Sequence, residues 1–392
     1  MKIAFVHDGL YPYFKGGIER RNYELATRLS ARHEVHYITW RHWGAAESAH
    51  REGFIVHGVG APRPFYGADG KRTVGEAAQF ALRLVPALRQ QRFDVIDCSA
   101  TPYLPLYASW LVARLTRTPL VATWHEFWGD HWASYLPHRP ITARIARLLE
   151  AGCRPLGDVR VAVSPFTAQR LAEGPRGVSA RVVGNGVALD AIGRIPPAGE
   201  AAEIVFVGRL IDDKKVDVLL RALPTLVAEF PALRCTIVGD GPERARLEHI
   251  AASLALGAHV RFAGYVGDEE VFALMKAAKV FALTSIREGF GITVIEAMAS
   301  GCVPVVARAP HTGAPLLVRD GVDGLVCEPS VDSFAAGIGG LLRDPARLAA
   351  MRAEAQRSAA KWDWDRLTLE MEEVYRGARA GVVAGDGVLV NS

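Results

Sequence analysis

The stretch that most constrains the fold runs from Val280 to Ala307 and reads VFALTSIREGFGITVIEAMASGCVPVVA. Two β-branched and aromatic runs, Val280–Leu283 and Val303–Ala307, are typical of buried, neighbouring parallel strands. Between them, Ile292–Ser300 has apolar residues at helical spacing and is followed by a glycine, which commonly ends helices. The pattern predicts a strand, a loop, a helix and a second strand, with the loop Ser285–Gly291 leading into the N-terminus of the helix.

This loop carries two glycines beside an acid. Gly289 and Gly291 lack side chains, so backbone N–H groups there can approach a ligand closely, and a helix N-terminus attracts anions such as phosphate. Glu288 precedes the helix and Glu296 stands in its second turn. Carboxylates repel phosphate but accept hydrogen bonds from sugar hydroxyls, so the two acids suit a sugar on one side of an anion and a ribose on the other. Spacing alone equally fits two ordinary helix acids, one of them complementing the helix dipole.

The segment EGFGITVIE resembles the signature of the retaining glycosyltransferases of family 4, which have the GT-B fold. The resemblance implies that Glu288 holds hydroxyls of a donor sugar and that Glu296 binds the ribose of its nucleotide. It further implies that the donor diphosphate is held by the backbone amides of Gly289, Phe290, Gly291 and Ile292. Family members usually have a proline where this chain has Thr284, a departure that bears on loop stiffness and not on chemistry.

Length and composition predict a two-domain globular enzyme. A chain of 392 residues exceeds what one ordinary hydrophobic core supports, which favours two domains of roughly 150 to 200 residues. Half of the residues are hydrophobic and 22% are charged, as in soluble enzymes. Lys and Arg exceed Asp and Glu by four, a balance that fits phosphorylated small molecules and is too weak to indicate a nucleic-acid partner.

The cysteines and the N-terminus predict a cytoplasmic protein. The five cysteines are scattered, odd in number and mostly within apolar runs, which indicates buried free thiols in a reducing compartment, and there is no CxxC pair to suggest zinc. The chain enters a strand at once, without a signal-peptide pattern, and has no run of 18 or more apolar residues.

The first domain is expected to span residues 1–190 as a doubly wound parallel sheet, because strand-like and helix-like stretches alternate. The predicted strands are Ile3–Val6, Val35–Thr39, Phe54–Val59, Val95–Asp97, Leu120–Thr123 and Val159–Val163, and another is expected at Val182–Val187, ending in an Asn-Gly turn. The predicted helices are Ile18–Ser30, Val74–Gln90 and Leu104–Leu115.

Two loops of this domain are candidate ligand contacts. Gly16 and Gly17 precede the first helix, where they form either a tight turn or a close backbone approach to a ligand. The family resemblance implies that this pair, followed by Glu19, faces the donor phosphates. It also implies that His125, which follows a predicted strand in TWHEFWGDHWASYLPH, contacts the donor sugar. The tryptophans of that segment suit either sugar stacking or core packing.

Residues 139–154 interleave arginines with Ile and Leu, so they form either a solvated helix face or a surface resting on a membrane. A weak peripheral contact with the inner face of the membrane is therefore an open expectation. Residues 191–202, rich in Pro and Gly, are expected to link the two domains.

The second domain is expected at 203–360, beginning with IVFVGRLIDDKKVD. Arg209 and Lys214 leave the carboxyl end of its first strand, where two cations could grip a diphosphate. The resemblance implies that role for both, although Lys215 stands where relatives generally have glycine. The resemblance also places the nucleobase against the backbone near Tyr265. The sequence GDGPER starts a GxGxxG motif but has Arg244 at the third glycine, which disfavours NAD.

The C-terminal residues 361–380 are expected to form a helix, and the family resemblance implies that this helix returns to the first domain. The WDWD at its start resembles a metal-binding DxD, but it heads a helix instead of following a strand, so we interpret it as a look-alike and expect its tryptophans to anchor the helix. The last dozen residues, small and rich in Gly and Val, are expected to form a loose tail.

The resemblance to family 4, together with these features, implies a GT-B protein with two facing Rossmann-like domains and an active site in the cleft. The expected activity is metal-independent, retaining transfer from a UDP- or GDP-linked sugar to a carbohydrate, lipid-linked or small-molecule acceptor, with no further cofactor. Cationic groups would stabilise the diphosphate leaving group, and no protein nucleophile is evident. A nucleotide-sugar epimerase and a silent sugar-binding protein remain alternatives, and the sequence does not indicate an oligomeric state.

Overall fold

A computed structural model describes residues 1–44, 46–65 and 72–381. It divides the chain into two compact units, one formed by Met1–Asn185 with the chain from Trp364 onward, the other by Gly186–Asp363. Each unit contains an α/β sheet, which confirms the predicted fold class. Residues 382–392, nearly all of the predicted tail, lie outside the described residues.

The first unit contains an eight-stranded sheet. In spatial order its strands are Ser48–Arg51, Phe54–Gly58, Glu34–Thr39, Lys2–Val6, Val95–Ser99, Leu120–Trp124, Val159–Ala162 and Arg181–Val182. Every pairing is parallel except that of the two outermost strands on one edge. The edge strand Ser48–Arg51 was not predicted, because its polar residues carry no apolar alternation. It is paired through a two-residue turn in which Glu52 and Gly53 both have positive φ, at 42° and 95°.

Helices cover this sheet, and their bounds are Gly17–Leu29, Val74–Arg89, Tyr103–Thr116, His131–Tyr135, Pro140–Cys153, Pro165–Ala172 and Trp364–Arg379. The last of these is the C-terminal helix, and it belongs to the first unit. Trp364 is 1% exposed, and the Tyr375 hydroxyl donates a 2.6 Å hydrogen bond to the buried Asp97 carboxylate of a central strand. Burial of these large side chains stabilises the packing of the helix on the sheet.

The second unit contains a six-stranded parallel sheet. In spatial order its strands are Val260–Gly264, Cys235–Val238, Ile204–Val207, Val280–Leu283, Val303–Ala307 and Leu325–Cys327. The strand order reverses direction between Ile204–Val207 and Val280–Leu283, and open α/β sheets bind ligands at the carboxyl ends of the strands beside such a point. The α-helices are Leu189–Arg194, Val216–Glu229, Arg244–Ser253, Asp268–Ala277, Ile292–Ala299, Val331–Arg343 and Pro345–Ala359, and short 3₁₀ turns lie at Asp212–Lys214, Ala314–Leu317 and Ala360–Trp362. A short parallel pair joins Arg287–Glu288 to His311–Thr312.

Two local predictions were wrong. The strand expected at Val182–Val187 is present only as Arg181–Val182, because the chain leaves the sheet before its Asn-Gly turn. The Pro- and Gly-rich segment expected as a linker starts inside a short helix, Leu189–Arg194, and then packs on the second unit. There the Ala198 amide donates to the Ala273 carbonyl at 2.9 Å, so tertiary hydrogen bonds order a segment whose composition suggested flexibility.

The five cysteines are all buried and free, as predicted. Burial raises the pKa of the Cys235 thiol to about 12, which keeps this side chain protonated and unreactive at neutral pH. The cysteines therefore act as small apolar core residues.

Candidate active site

Two loops of the second unit meet at the reversal of strand order. One follows Val207 and contains Arg209 and Lys214, and the other follows Leu283 and contains Glu288. Their strands are adjacent and parallel, with Val280 opposite Ile204 in the register. Residues that the sequence separates by more than seventy positions therefore lie at one edge of the sheet.

The helix Ile292–Ala299 begins in this region, and its N-cap residue, Gly291, has no side chain to cap the helix. Gly291 has φ of 100°, a left-handed conformation that favours glycine, and a Cβ there would lie 3.2 Å from the Cβ of Ala314. A helix N-terminus without a capping side chain is suited to an anion. The Phe290 side chain is 4% exposed and packs edge-to-face on Trp362 at 5.2 Å, so only its backbone is suited to binding a ligand.

Lys214 and Lys215 differ in what they contact. The Lys214 ammonium donates to the Glu288 carboxylate, whereas the Lys215 ammonium pairs with Asp212 at 2.7 Å. Lys215 adopts the left-handed conformation, with φ of 46° and ψ of 42°, which is the conformation that glycine adopts without strain. Lys215, which replaces the glycine usual in the family, thus keeps the backbone conformation that a glycine would adopt. Lys214 is the lysine beside Glu288.

Further contacts join the same two loops. The Arg287 guanidinium donates from Nε and Nη2 to one oxygen of Asp213, at 2.9 and 2.7 Å. The Ile286 amide donates to the Asp213 carbonyl at 2.9 Å, and the Thr284 hydroxyl donates to the Lys214 carbonyl at 2.7 Å. Thr284, at the position where relatives usually have proline, therefore joins the two loops through its hydroxyl. Sequence reasoning missed Asp213 and Arg287, which resemble ordinary solvated loop charges.

The glycines of GDGPER serve the loop that carries Arg209. A Cβ on Gly239 would lie 1.9 Å from the Gly208 carbonyl oxygen, and one on Gly241 would lie 2.4 Å from that of Leu210. These two glycines allow close backbone packing beside Arg209, which accounts for the incomplete dinucleotide motif. Arg209 is exposed, and Glu296 is half-buried on its helix.

Tyr265 directly follows the strand Val260–Gly264 and is 63% exposed. Its predicted nearness to a nucleobase, like the roles of the other candidate residues, stays a prediction.

In the first unit, the glycine-rich loop encloses a buried acid. Glu19 folds back so that a Cβ on Gly16 would lie 2.3 Å from its carboxylate, and one on Gly9 would lie 2.5 Å away. Burial favours the neutral carboxyl of Glu19, but a 3.4 Å hydrogen bond with His7, the charges of His7 and Arg72 and a backbone hydrogen bond together outweigh it and lower the pKa of Glu19. A side chain at position 16 would therefore have to displace the Glu19 carboxylate, and Gly17 starts the helix as its first residue.

His125 follows the strand Leu120–Trp124 and is 7% exposed. Burial lowers the pKa of His125 well below its usual value, and the nearby charges of Arg21 and His7 act in the same direction. Within the described residues, its Nε2 has no hydrogen-bond partner. A neutral imidazole with one open, buried nitrogen can exchange a hydrogen bond with a ligand hydroxyl without adding a charge.

Arg21 was missed because it lies in an arginine pair on an amphipathic helix, a pattern typical of a solvated face. The structure buries it to 1% exposure, with its guanidinium donating to the Gly184 carbonyl and, at 3.2 Å, to the Asn185 side chain. Burial lowers the pKa of Arg21 to about 10, with the charge of Asp97 opposing the shift, so Arg21 remains cationic at neutral pH.

The aromatic segment after His125 is organised by a buried acid that sequence reasoning also missed. Trp128 stacks on Trp132 with ring centroids 4.5 Å apart. Glu150 accepts hydrogen bonds from the Trp128 amide at 2.8 Å and from the Trp132 indole at 3.2 Å. The tryptophans thus pack on each other and on Glu150, while each keeps a partly exposed surface.

The look-alike DxD does not present two carboxylates to one site, since Asp365 pairs with Arg28 at 2.6 Å on the surface of the first unit. Over the described ranges, no group of three or more His, Cys, Asp or Glu side chains is arranged to hold a metal ion. No helix within these ranges has both the length and the apolar character needed to span a membrane.

Two family profiles match adjacent parts of this chain. A profile described as Glycosyltransferase Family 4 matches residues 15–191, and one described as Glycosyl transferases group 1 matches residues 192–359. The chain belongs to glycosyltransferase family 4. Phosphatidyl-myo-inositol mannosyltransferase of Mycolicibacterium smegmatis is 29% identical to this family member, over 96% of the chain and 92% of the relative.

Another relative from that organism, GDP-mannose-dependent alpha-(1-6)-phosphatidylinositol monomannoside mannosyltransferase, is 36% identical. That alignment spans 46% of this chain and about half of the relative, 49%.

Solved structures match the fold. Sucrose-phosphate synthase from Thermosynechococcus elongatus superposes with a TM-score of 0.80 at 20% identity, covering 97% of this chain and 99% of that one. Anabaena HepE in complex with UDP-glucose superposes with a TM-score of 0.74 at 22% identity, covering 96% and 100%. Both matches identify the GT-B architecture.

Proposed function

We propose that this protein is a retaining glycosyltransferase that moves a sugar from a nucleoside-diphosphate donor to an acceptor hydroxyl. The observation that carries the proposal is the pairing of Lys214 with Glu288 beside the uncapped N-terminus of the helix Ile292–Ala299. A cation and helix amides suit the diphosphate, and the neighbouring carboxylate suits sugar hydroxyls.

In the proposed reaction, the bond between the sugar carbon and the diphosphate oxygen breaks while the acceptor hydroxyl oxygen bonds to that carbon on the same face, and the acceptor's proton passes to the departing diphosphate. Negative charge grows on the departing diphosphate, and Arg209, Lys214 and the helix amides supply positive charge there, so no metal ion is needed. Glu288 orients the sugar and Glu296 the ribose. For His125 and the loop of Gly16 and Gly17 we retain the contacts with the donor that the family resemblance implies, as part of the proposal.

Support for the donor class comes from the relatives. The 36% identical relative is named as GDP-mannose-dependent, and HepE was solved with UDP-glucose. We propose a UDP- or GDP-linked donor and an acceptor that is a carbohydrate, a lipid-linked molecule or a small aglycone.

A thermal-shift panel with UDP, GDP, ADP, TDP and NAD, without and then with magnesium, tests the proposal. A ligand at about one hundred times its Kd adds roughly 2.7 kcal/mol of stability, so one nucleoside diphosphate should raise the melting temperature in the absence of metal. Stabilisation by NAD alone, or by a nucleotide only when magnesium is present, would contradict it.

The two glutamates should differ in nucleotide binding. We expect Glu296→Ala to weaken the affinity for the nucleoside diphosphate by about tenfold, because a ribose hydrogen bond to a charged group is lost. Glu288→Ala should leave that affinity nearly unchanged, since its proposed partner is the sugar. Isothermal titration calorimetry measures both, and equal affinities for the two variants and the wild type would refute the ribose role.

The helix Pro140–Cys153 has an apolar row on its exposed surface. The row consists of Ile141, Ile145 and Leu148, which are 76%, 52% and 64% exposed. Their spacing places them along one side of the helix. Exposed apolar side chains are common singly, but a row of three on one helix favours an interaction surface.

Charges beside this row favour an anionic membrane as the partner. Arg144 and Arg147 are exposed, Arg147 also pairs with Asp130 at 2.7 Å, and residues 131–149 include no Asp or Glu. We propose a weak peripheral contact with anionic lipid headgroups through this face.

Co-sedimentation with phosphatidylcholine vesicles, with and without phosphatidylserine, tests this contact. We expect binding that requires phosphatidylserine. Ile145→Gln should reduce this binding by about fivefold, because burying the exposed half of the Ile145 side chain contributes about 1 kcal/mol. Leu82→Gln is the matched control, since Leu82 is 75% exposed on a different helix. Equal loss in both variants, or no binding by the wild type, would contradict the proposal.

A further inference from the structure

Two ion pairs stand side by side between the loops of the second unit. Asp213 pairs with Arg287, and the next residue of each loop forms the second pair, Lys214 with Glu288. The loop after Val207 carries the acid of the first pair and the base of the second. The loop after Leu283 carries the base of the first pair and the acid of the second. Both pairs are mostly shielded from solvent, with side-chain exposures of 15% for Arg287, 19% for Asp213, 19% for Lys214 and 14% for Glu288.

If the proposed function holds, the ion pair of Lys214 with Glu288 must break or loosen when a donor binds. Lys214 would turn to the diphosphate, which carries more negative charge than one carboxylate, and Glu288 would turn to sugar hydroxyls. Neither Asp213 nor Arg287 has a proposed contact with the donor. Their ion pair would then remain between the loops, together with the Ile286 amide and Thr284 hydroxyl bonds.

We propose that Asp213 and Arg287 are positioning residues for the transfer reaction. Their ion pair holds the Lys214 loop against the Glu288 loop while Lys214 and Glu288 contact the donor. Two N–H groups of Arg287 reach the same Asp213 oxygen, so the contact restricts both the separation and the orientation of the loops. This inference rests on the proposed function of the same site.

The expected effect is on turnover and not on nucleoside binding. A displacement of about 1 Å in a catalytic group can cost up to a hundredfold in rate, so Asp213→Asn and Arg287→Gln should each lower kcat by about tenfold to a hundredfold. Affinity for the nucleoside alone, which lacks phosphates and sugar, should change less than about twofold in either variant. The melting temperature should fall by only a few degrees, since the backbone bond between the loops persists.

If the ion pair of Asp213 with Arg287 acts as one contact, the effects of the two substitutions on kcat should not be additive. The double variant Asp213→Asn with Arg287→Gln should be no slower than the slower single variant, because each change removes the same contact. Exchange of the charges, Asp213→Arg with Arg287→Asp, should recover part of the lost kcat. Asp212→Asn is the matched control, since the Asp212 carboxylate pairs with Lys215 and is 68% exposed. It should keep kcat within about twofold of the wild type.

Steady-state kinetics with the nucleotide sugar found by ligand screening, combined with calorimetry using nucleoside and nucleoside diphosphate, distinguish the outcomes. Wild-type kcat in Asp213→Asn with a slow Arg287→Gln would make Arg287 a direct donor contact and overturn the proposal. Losses that multiply in the double variant, or single variants as fast as wild type, would also overturn it while leaving the proposed function intact. A wild-type protein that neither binds a nucleoside diphosphate nor transfers a sugar overturns both.

Discussion

Replacing Arg209 by alanine should lower kcat by about a hundredfold, because one charge-stabilising donor at a developing negative charge contributes roughly this much. Arg209 is well placed for that role. Hydrogen bonds fix the backbone on both sides of it, from the Gly208 amide to the Val238 carbonyl at 3.0 Å and from the Leu210 amide to the Asp240 carbonyl at 2.9 Å. Initial-rate assays with saturating donor and acceptor measure the change.

Arg221→Ala is the control for the loss of an arginine, since Arg221 is exposed on the helix that follows this loop. It should leave kcat unchanged, because surface charges away from the site contribute little. Near-normal turnover in Arg209→Ala would remove Arg209 from the mechanism.

The two neighbouring lysines should differ sharply when each is replaced by alanine. We expect Lys214→Ala to lower kcat by about a hundredfold, because it loses a cation next to Glu288 and the helix N-terminus. We expect Lys215→Ala to change kcat by less than about threefold, because its ammonium pairs with the exposed Asp212 carboxylate. The same rate assay on both variants measures the difference.

Lys215→Ala is thus the built-in control for Lys214→Ala, with the same chemical change one residue away. Equal losses in the two variants would show that the loop, and not the Lys214 ammonium, is what the reaction requires. A larger loss in Lys215→Ala would place Lys215 on the diphosphate instead.

Much of the fold could be predicted from local sequence patterns. The apolar runs Val280–Leu283 and Val303–Ala307 are strands with the predicted bounds, and the helix between them starts at Ile292 as predicted. Periodicity succeeds here because buried parallel strands and the helices that cover them need continuous or 3.6-periodic apolar residues. The motif EGFG likewise predicted a helix that begins directly after its second glycine, with an acid on each side of that point. Anion binding at this N-terminus stays a prediction.

The unpredicted features depend on contacts between residues far apart in the chain. The edge strand Ser48–Arg51 is polar and exists because a neighbouring strand offers hydrogen bonds to it, and the expected linker is ordered by bonds to the helix Asp268–Ala277. Composition predicts which segments can bury apolar surface, but not which polar segments will find partners.

The sequence by itself determined the two-unit α/β architecture, the family and the residue types of the candidate site, because these depend on periodicity and on short motifs. Only the tertiary structure decided which charges meet. Asp213 and Arg287 are 74 residues apart, and Arg21 and Asn185 are 164 apart. The sequence around a charged residue does not distinguish a solvated side chain from a paired one. The packing of strands and loops around the side chain determines its partner.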